Sequence, residues 1–491
     1  MARLTINGQS VEVEEQATVL EAARAANVQI PTLCHCRETG PLTSCMLCVV
    51  KNAATGDTLL ACASPAADGM DIVTDDEEVH TLRRETLALL LAEHAGDCEG
   101  PCERACPAGL RIPQVLRALE AGDQARAAAI AREDLLFPAL LGRVCAAPCE
   151  RICRRGQYDE AVTIRACHGG VAEAAPPSHD SDAVAASGKS VVVIGGGLAG
   201  LAAARVCVEA GHACCVYERE DRLCPGLSAD VPADVRHREF AFLQAQGVTV
   251  CTGTEKTLVP DAAGSIHAVQ ALLDAHDAVI VAVKGADALD DARVVLAPEE
   301  KMPVRAVAAG KRAGRRVNAL LGGGEYHDRR PFNSHLGRLQ EEDLEAYGVG
   351  RITGERAHPA ADSGAMPELS ERAARCLHCD CLKPTTCKLR QYADEYKVTL
   401  GGKRNLPPRT ILPMERCGNI VFEPGKCIKC GICIALTRNH GIRPGMAITG
   451  RGIKSHVRAA LGAMLEAGLG DAAEACVRAC PTAALAFDPS S

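Results

Sequence analysis

Among 491 residues, 27 are cysteine, and most fall into clusters with the spacing of metal ligands. Cys34, Cys45, Cys48 and Cys62 are spaced C-x10-C-x2-C-x13-C. A loop supplying three thiolates, with a fourth from farther along, is what a [2Fe-2S] centre needs, because two irons sharing two sulfides take four protein ligands. Cys36 is surplus and reads as a non-ligand. Next, His94-x3-Cys98-x3-Cys102-x3-Cys106-Pro107 is answered by Cys145-x3-Cys149-x3-Cys153. These six thiolates fall short of the eight ligands that two [4Fe-4S] cubanes take, so other side chains must contribute. Cys376-x2-Cys379-x-Cys381-x5-Cys387 is dense enough for one [4Fe-4S] cluster, with His378 left as a non-ligand. Cys427-x2-Cys430-x2-Cys433, with Cys480 before Pro481, has the three-plus-one arrangement of another. Cys417 and Cys476 have no assigned role. Thiolates at C-x2-C spacing also suit zinc, which keeps a zinc-bearing scaffold open as an alternative. Cys207, Cys214, Cys215, Cys224 and Cys251 lack ligand spacing and read as small buried hydrophobes.

A second chemistry is written in glycine. An apolar strand, Val191 to Ile194, runs into Gly195-x-Gly197-x-x-Gly200, then a helix, and Glu218 closes the next strand. The glycines allow a tight turn, close approach of a pyrophosphate and helix-on-strand packing. The phosphates would meet the helix N-terminus, and Glu218 would accept ribose hydroxyls. Only about two dozen residues separate DAVIVAV (277–283) from AVAAGKRAG, and there is no second glycine fingerprint.

The elements that must position these residues are legible at coarse grain. Asn7-Gly8 between alternating runs predicts a hairpin, and TVLEAARAANV an amphipathic helix. Helical patterns run through 81–175, strands alternate with helices over 190–320, and the last stretch is rich in cysteine and loops. We therefore expect a [2Fe-2S] domain over 1–80, a helical [4Fe-4S] domain over 81–175, a Rossmann-like domain over 188–321, a linker over 322–365 and a [4Fe-4S] domain over 366–491. The stretch 176–189, rich in Pro and Ser, also reads as a linker. A net charge of -8 and the absence of Trp, with six Tyr and six Phe, argue against nucleic-acid binding. No apolar run approaches the roughly 20 residues of a membrane span. With no apolar signal segment at the N-terminus, we expect a cytoplasmic protein whose thiols bind metal instead of forming disulfides.

The cysteine pattern of 34–62, behind a hairpin and helix, resembles the β-grasp ferredoxin domain of the large iron–sulfur subunit of respiratory complex I and of iron-only hydrogenases. It differs from the plant-type C-x4-C-x2-C. The stretch from His94 through GRVCAAPCERIC and AVTIRACHGG resembles the iron–sulfur domain of the glutamate synthase small subunit and of dihydropyrimidine dehydrogenase. That resemblance implies two [4Fe-4S] clusters with ligands interleaved between the triplets. One would use His94, Cys98, Cys102 and Cys153, with His94 near the place of a cysteine this chain lacks. The other would use Cys106, Cys145, Cys149 and either His168 or Cys167. AAGKRAGRRVNALL (308–321) resembles the returning helix of the FAD domains of that family, which implies FAD over NAD. The family's NADPH-binding domain is missing, and its Gly-Asp before the last helix is replaced by Ala297-Pro298-Glu299-Glu300, so a relic Rossmann domain without flavin stays open. The segments 376–387 and 427–480, with ITGRGIKSHV, resemble the complex I subunit again.

Together these resemblances imply a multidomain α+β and α/β iron–sulfur flavoprotein. It would be an electron-transfer subunit of a hydrogenase, formate dehydrogenase or NADH dehydrogenase type complex, working between a nicotinamide- or ferredoxin-reactive subunit and a catalytic subunit. No catalytic acid, base or nucleophile is apparent. The alternative is a self-sufficient NAD(P)H:acceptor oxidoreductase of the glutamate synthase small subunit type.

Overall fold

The computed structural model describes residues 1–175, 184–228, 231–254, 266–283, 291–298, 300–328, 330–352, 366–399 and 409–488. The expected linker over 176–189 lies outside the described residues up to 183, as do 353–365 of the expected 322–365 linker and Glu299.

The N-terminal unit opens with β1 (Ala2–Ile6) and β2 (Gln9–Val13), joined at Asn7 and Gly8, whose φ values of 50° and 80° give the hairpin turn. Helix α1 (Val19–Ala25) starts at Thr18, which forms a capping box with Glu21. A two-residue pair, β3 (His35–Cys36) and β4 (Gly40–Pro41), precedes β5 (Val49–Asn52), β6 (Asp57–Leu60) and β7 (Asp71–Val73). The sheet order β2-β1-β7-β5-β6, with β1 parallel to β7, is a β-grasp arrangement. Alternating residues Leu4 and Ile6 are buried on its inner face against Leu20, Val50 and Ile72.

Helix α2 (Glu77–Glu93), capped by Asp76, ends at His94. It leads into α3 (Pro101–Ala105), α4 (Ile112–Glu120), α5 (Gln124–Leu135), α6 (Pro138–Val144), α7 (Pro148–Arg151) and α8 (Ile164–Ala174). The run from 112 to 134 is two helices because Gly122, at φ +75°, turns the chain and Asp123 caps α5.

The third unit is a parallel sheet, ordered β10-β9-β8-β11-β12, built from β8 (Ser190–Ile194), β9 (Ala213–Tyr217), β10 (Val248–Cys251), β11 (Ala278–Val281) and β12 (Val294–Leu296). Its helices are α9 (Leu198–Glu209), α10 (Ala233–Ala245), α11 (Ile266–Ala275) and α12 (Pro303–Leu321). Helices α9 and α12 touch backbone to backbone, since a Cβ at Gly310 would stand 2.0 Å from the Ala199 carbonyl oxygen. This unit shares one core with the helical unit: Lys311 Nζ donates to Ala108 O (2.9 Å) and Asp134 O (2.5 Å), and Arg205 donates to Leu136 O (3.1 Å).

Next come α13 (Glu341–Gly348), α14 (Met366–Ala374) and α15 (Lys388–Glu395). The remainder holds β13 (Glu415–Cys417), β14 (Ile420–Phe422), α16 (Ile432–Asn439), β15 (Met446–Thr449), β16 (His456–Ala459), α17 (Leu465–Leu469), α18 (Ala473–Ala479) and β17 (Leu485–Phe487). Its core takes in Leu33, Leu87 and Leu91 from the N-terminal region, so the two ends of the chain pack as one body. Helix α14 packs on α4 and α8, not on the C-terminal sheet. Residues 330–352 run mostly along the surface but are anchored by a few buried residues, with Ser334 at 0% exposure and Tyr347 and Leu339 packed against Leu377.

Replacing Gly310 by alanine forces α9 and α12 apart. We expect a loss of about 3 kcal/mol, at the upper end for overpacking, as a lowered urea midpoint. Alanine at Gly197, whose Cβ would meet nothing within 4 Å, leaves that midpoint unchanged.

Candidate metal centres

Cys34, Cys45, Cys48 and Cys62 converge as their spacing implies, and all four are buried. The Cys45 amide donates to Cys34 Sγ at 3.4 Å. The Cys45 thiol also hydrogen-bonds Cys34, which pulls the Cys34 thiol down and pushes its own up. Cys62 is pushed up to about 12, by burial and by the hydrogen bond with Cys48, and it lies within electrostatic reach of Cys34. Cys36 sits half-buried on β3.

The dense segment 376–387 does not form the single centre its spacing suggests. Its cysteines divide between two groups and meet partners from the helical unit. Cys381 and Cys387 face Cys98: the Cys381 amide donates to Cys98 O at 3.2 Å, and Cys387 lies within electrostatic reach of both Cys381 and Cys98. His94, at the end of α2, feels the same cations as Cys98, namely Lys426 and Arg409. Burial, helped by Lys426, pushes the His94 imidazole down to about 4, so it is neutral and has a free lone pair. Its Nδ1 is buried without a hydrogen-bond partner. Cys376 and Cys379 instead face Cys102 and Cys153. The expected grouping of His94 and Cys98 with Cys102 and Cys153 is therefore corrected. The physical reason is that α14 docks on α4 and α8 and carries the 376–387 loop between α3 and the C-terminal unit.

Cys106, Cys145 and Cys149 stay together as expected, with the Cys149 thiol pushed well up by burial first and then by Cys106. Of the two candidates for their fourth partner, His168 Nδ1 is 3.3 Å from Pro138 O, and Cys167 is fully buried beside Arg372. The two triplets carry identical Pro-Cys-Glu-Arg stretches, 101–104 and 148–151, which form the paired short helices α3 and α7.

Cys427, Cys430, Cys433 and Cys480 line one small cavity, with Cys476 on its wall. Lys429, at φ +55°, and Gly431, at φ +85°, curl the loop so that its thiols point inward. Cys476 Sγ donates to Cys433 O at 3.9 Å, and Cys417 lies on β13.

The groups stand in succession. Ser44 donates to Cys430 O at 2.9 Å, and Cys430 feels Cys34, which puts the Cys34 group beside the Cys427 group. The Lys388 amide donates to Pro481 O (2.9 Å) and Lys383 to Cys480 O (3.2 Å), joining the Cys427 group to Cys387. Cys379 and Cys381 are two residues apart, Cys102 feels Cys149, and Cys106 feels Lys311 of α12.

The glycine loop of the Rossmann unit is formed as expected. Gly195 has φ +108°, and a Cβ at Gly200 would stand 1.9 Å from Gly195 O. Space is open above Gly197. The Glu218 carboxylate accepts from the amides of Gly196 (2.7 Å) and Glu220 (2.9 Å), so it braces the loop at the end of β9.

Five residues around these centres, four of them buried, carry no sequence signature. The Ser334 amide donates to Cys98 Sγ at 3.3 Å. Arg351 pairs with Glu423, and Lys426 Nζ donates to Glu423 at 2.6 Å. Burial alone would raise the Glu423 carboxyl, but Lys426 and Arg351 outweigh it and hold it below its ordinary value. Tyr347 lies under Arg351. The repeated Pro-Cys-Glu-Arg was visible in the sequence and would have pointed to the pairing of α3 with α7.

Comparison with known families agrees part by part. Residues 1–77 match the 2Fe-2S iron-sulfur cluster binding domain, and residues 73–177 match dihydropyrimidine dehydrogenase domain II, 4Fe-4S cluster. Residues 193–239 match the NAD(P)-binding Rossmann-like domain. The NADPH-Fe(3+) oxidoreductase subunit alpha of Geobacter sulfurreducens is 33% identical over 98 residues, 20% of this chain and 12% of that protein. The NADP(+)-dependent formate dehydrogenase subunit beta of Moorella thermoacetica is 31% identical over 183 residues, 31% of this chain and 26% of that one. The glutamate synthase [NADPH] small chain of Mycobacterium tuberculosis is 35% identical over 146 residues, 28% and 29% of the two. The chain is a composite of iron–sulfur modules and a Rossmann unit, and it spans less than a third of each of these relatives.

Lys426 is 2% exposed and is one of the two cations neutralising Glu423. Lys426→Met breaks a buried pair and should cost about 3 kcal/mol, measured by chemical denaturation. Solvent-screened Lys51, paired with Glu78 on the surface, should leave the denaturation midpoint nearly unmoved when changed to methionine.

Proposed function

We propose that this chain is an iron–sulfur electron-transfer subunit of a larger oxidoreductase complex, with one [2Fe-2S] and about four [4Fe-4S] centres. The observation that carries this reading is the unbroken succession of buried donor groups from Cys34 through Cys427, His94 and Cys102 to Cys106, ending against the Rossmann unit. In it, Cys34, Cys45, Cys48 and Cys62 hold the [2Fe-2S] centre. His94, Cys98, Cys381 and Cys387 hold one [4Fe-4S] centre, and Cys427, Cys430, Cys433 and Cys480 another. Cys106, Cys145 and Cys149 share a third with His168 or Cys167. The donor chemistry fits: thiols predominate, and the His94 imidazole is neutral with an orphaned nitrogen.

Among the described residues, no three or more His, Cys, Asp or Glu side chains are gathered tightly enough for a single metal ion. The family matches over 1–77 and 73–177 favour iron–sulfur clusters over a zinc scaffold. Such clusters supply one-electron transfer. This chain's residues keep water from them and set the charge around them.

We further read the Rossmann unit as an FAD site. The open space above Gly197 is the cradle a pyrophosphate needs, and Glu218 stands at the end of β9 where a ribose would lie. A flavin there would link two-electron nicotinamide chemistry in a partner subunit to one-electron steps along the chain. Partners of nicotinamide- or ferredoxin-reactive type, together with a catalytic subunit, follow from this reading. Among the described residues no helix is long and apolar enough to cross a membrane.

The test is iron, acid-labile sulfide and flavin per chain after anaerobic purification. We expect about 18 iron, from one two-iron and four four-iron centres, with matching sulfide and flavin near one per chain. Gly197→Val should abolish flavin and leave iron unchanged. Zinc without sulfide would overturn the reading.

A further inference from the structure

Cys102, Cys153, Cys376 and Cys379 come from three places: α3, the turn after α7, and the loop after α14. Cys102 feels Cys376, Cys153 and Cys379, and Cys376 in turn feels Cys379 and Cys153. Cys102 is buried and Cys153, Cys376 and Cys379 are half-buried beside it, a convergence of four thiols from separate segments that iron–sulfur ligation, which takes them as thiolates, would explain.

Their enclosure is cationic. Tyr347 lies between two guanidinium groups, Arg154 at 4.8 Å and Arg351 at 4.6 Å from the ring centre. Arg154 donates to Tyr347 Oη (2.8 Å) and to Asp97 (2.7 Å). Arg351 donates to Leu377 O (3.2 Å) and His378 O (3.0 Å), the two residues between Cys376 and Cys379, and so holds that loop in shape. Both arginines feel Cys379 directly. Their carboxylate partners do not cancel them, because Asp97 is shared with Arg104 and Glu423 with Lys426.

We propose that Cys102, Cys153, Cys376 and Cys379 hold a single [4Fe-4S] cluster that ties the helical unit to the segment after α14, and that Arg351 raises its reduction potential. This rests on the iron–sulfur reading above. Reduction adds one electron, drawn from a neighbouring centre or from dithionite, and one negative charge to a cluster already carrying four thiolates. A buried cation favours that product. Arg351 is a positioning residue as well, since it fixes the loop carbonyls.

The experiment uses the full chain, purified anaerobically, with iron analysis and electron paramagnetic resonance during a dithionite titration. Wild-type protein without iron and sulfide would overturn the iron–sulfur reading itself. Given iron in the wild type, Cys379→Ser and Cys387→Ser should each abolish a different [4Fe-4S] signal, and Cys102→Ser should abolish the same one as Cys379→Ser. The double variant C379S/C387S should lose about eight iron, twice the loss of either single change. If C379S and C387S abolish the same signal, and the double loses no more iron than one, the proposal fails while the electron-transfer reading stands. Arg351→Gln removes no ligand and serves where a serine variant does not accumulate. It should weaken reduction of one centre about tenfold, a shift of about 59 mV to more negative potential for a one-electron couple, with Arg351→Lys restoring most of it. No shift, or a shift of the signal lost in C387S, overturns the proposal.

Discussion

The structure depends on a lattice of buried ion pairs that pins the 376–387 segment between the helical and C-terminal units. Arg117 grips Asp380 through two hydrogen bonds of 2.8 and 2.5 Å, and Arg351 and Lys426 converge on Glu423. Lys426 also donates to the Asp380 carbonyl at 3.3 Å. Charges this deep are expensive to desolvate, and their exchange for apolar residues often stabilises a protein. What they provide is location: each guanidinium fork admits few geometries, so the loop carrying Cys376, Cys379, Cys381 and Cys387 has one seat. From that seat the two pairs of thiols point into different groups.

The same placement explains why the units are not independent. Lys311 of α12 reaches into the helical unit, Ser44 of the first unit reaches Cys430 of the last, and the Ser334 amide reaches Cys98. Each contact is a hydrogen bond beside a donor group, so the boundaries between units are also where neighbouring groups come close. The electron transfer we propose for this chain would gain from this, because packing that excludes water also shortens the steps between centres. Residues 330–352, which carry few periodic apolar positions, are held by polar contacts such as Asn333 with Glu99 and Arg154 with Gly337 O.

Local features were legible wherever the determinant is local. Asn7-Gly8 specifies its turn through backbone conformation, Thr18 and Glu21 cap a helix within one turn, and Gly195 to Gly200 build a phosphate-type loop from steric necessity. The Cys34 and Cys427 groups were legible for the same reason, since most of their thiols share a single loop. Reading density as a site failed at 376–387. Spacing reports which thiols can reach a common point, not which partners will be brought to meet them. Within the helical pattern of 81–175, Gly122 at φ +75° divides the stretch 112–134 into two helices.

By itself, then, the sequence determined the donor types, the β-grasp and Rossmann units and the compact thiol groups, because hydrophobic period, glycine conformation and short spacings act within a few residues. Only the tertiary structure decided that Cys98 meets Cys381 and Cys387, that Cys102 and Cys153 meet Cys376 and Cys379, and that Arg154, Tyr347 and Arg351 surround them. Those meetings follow from α14 docking on α4 and α8 and from buried charges seeking partners across the chain. Such long-range terms depend on shape and dielectric, and no spacing pattern in the chain records them.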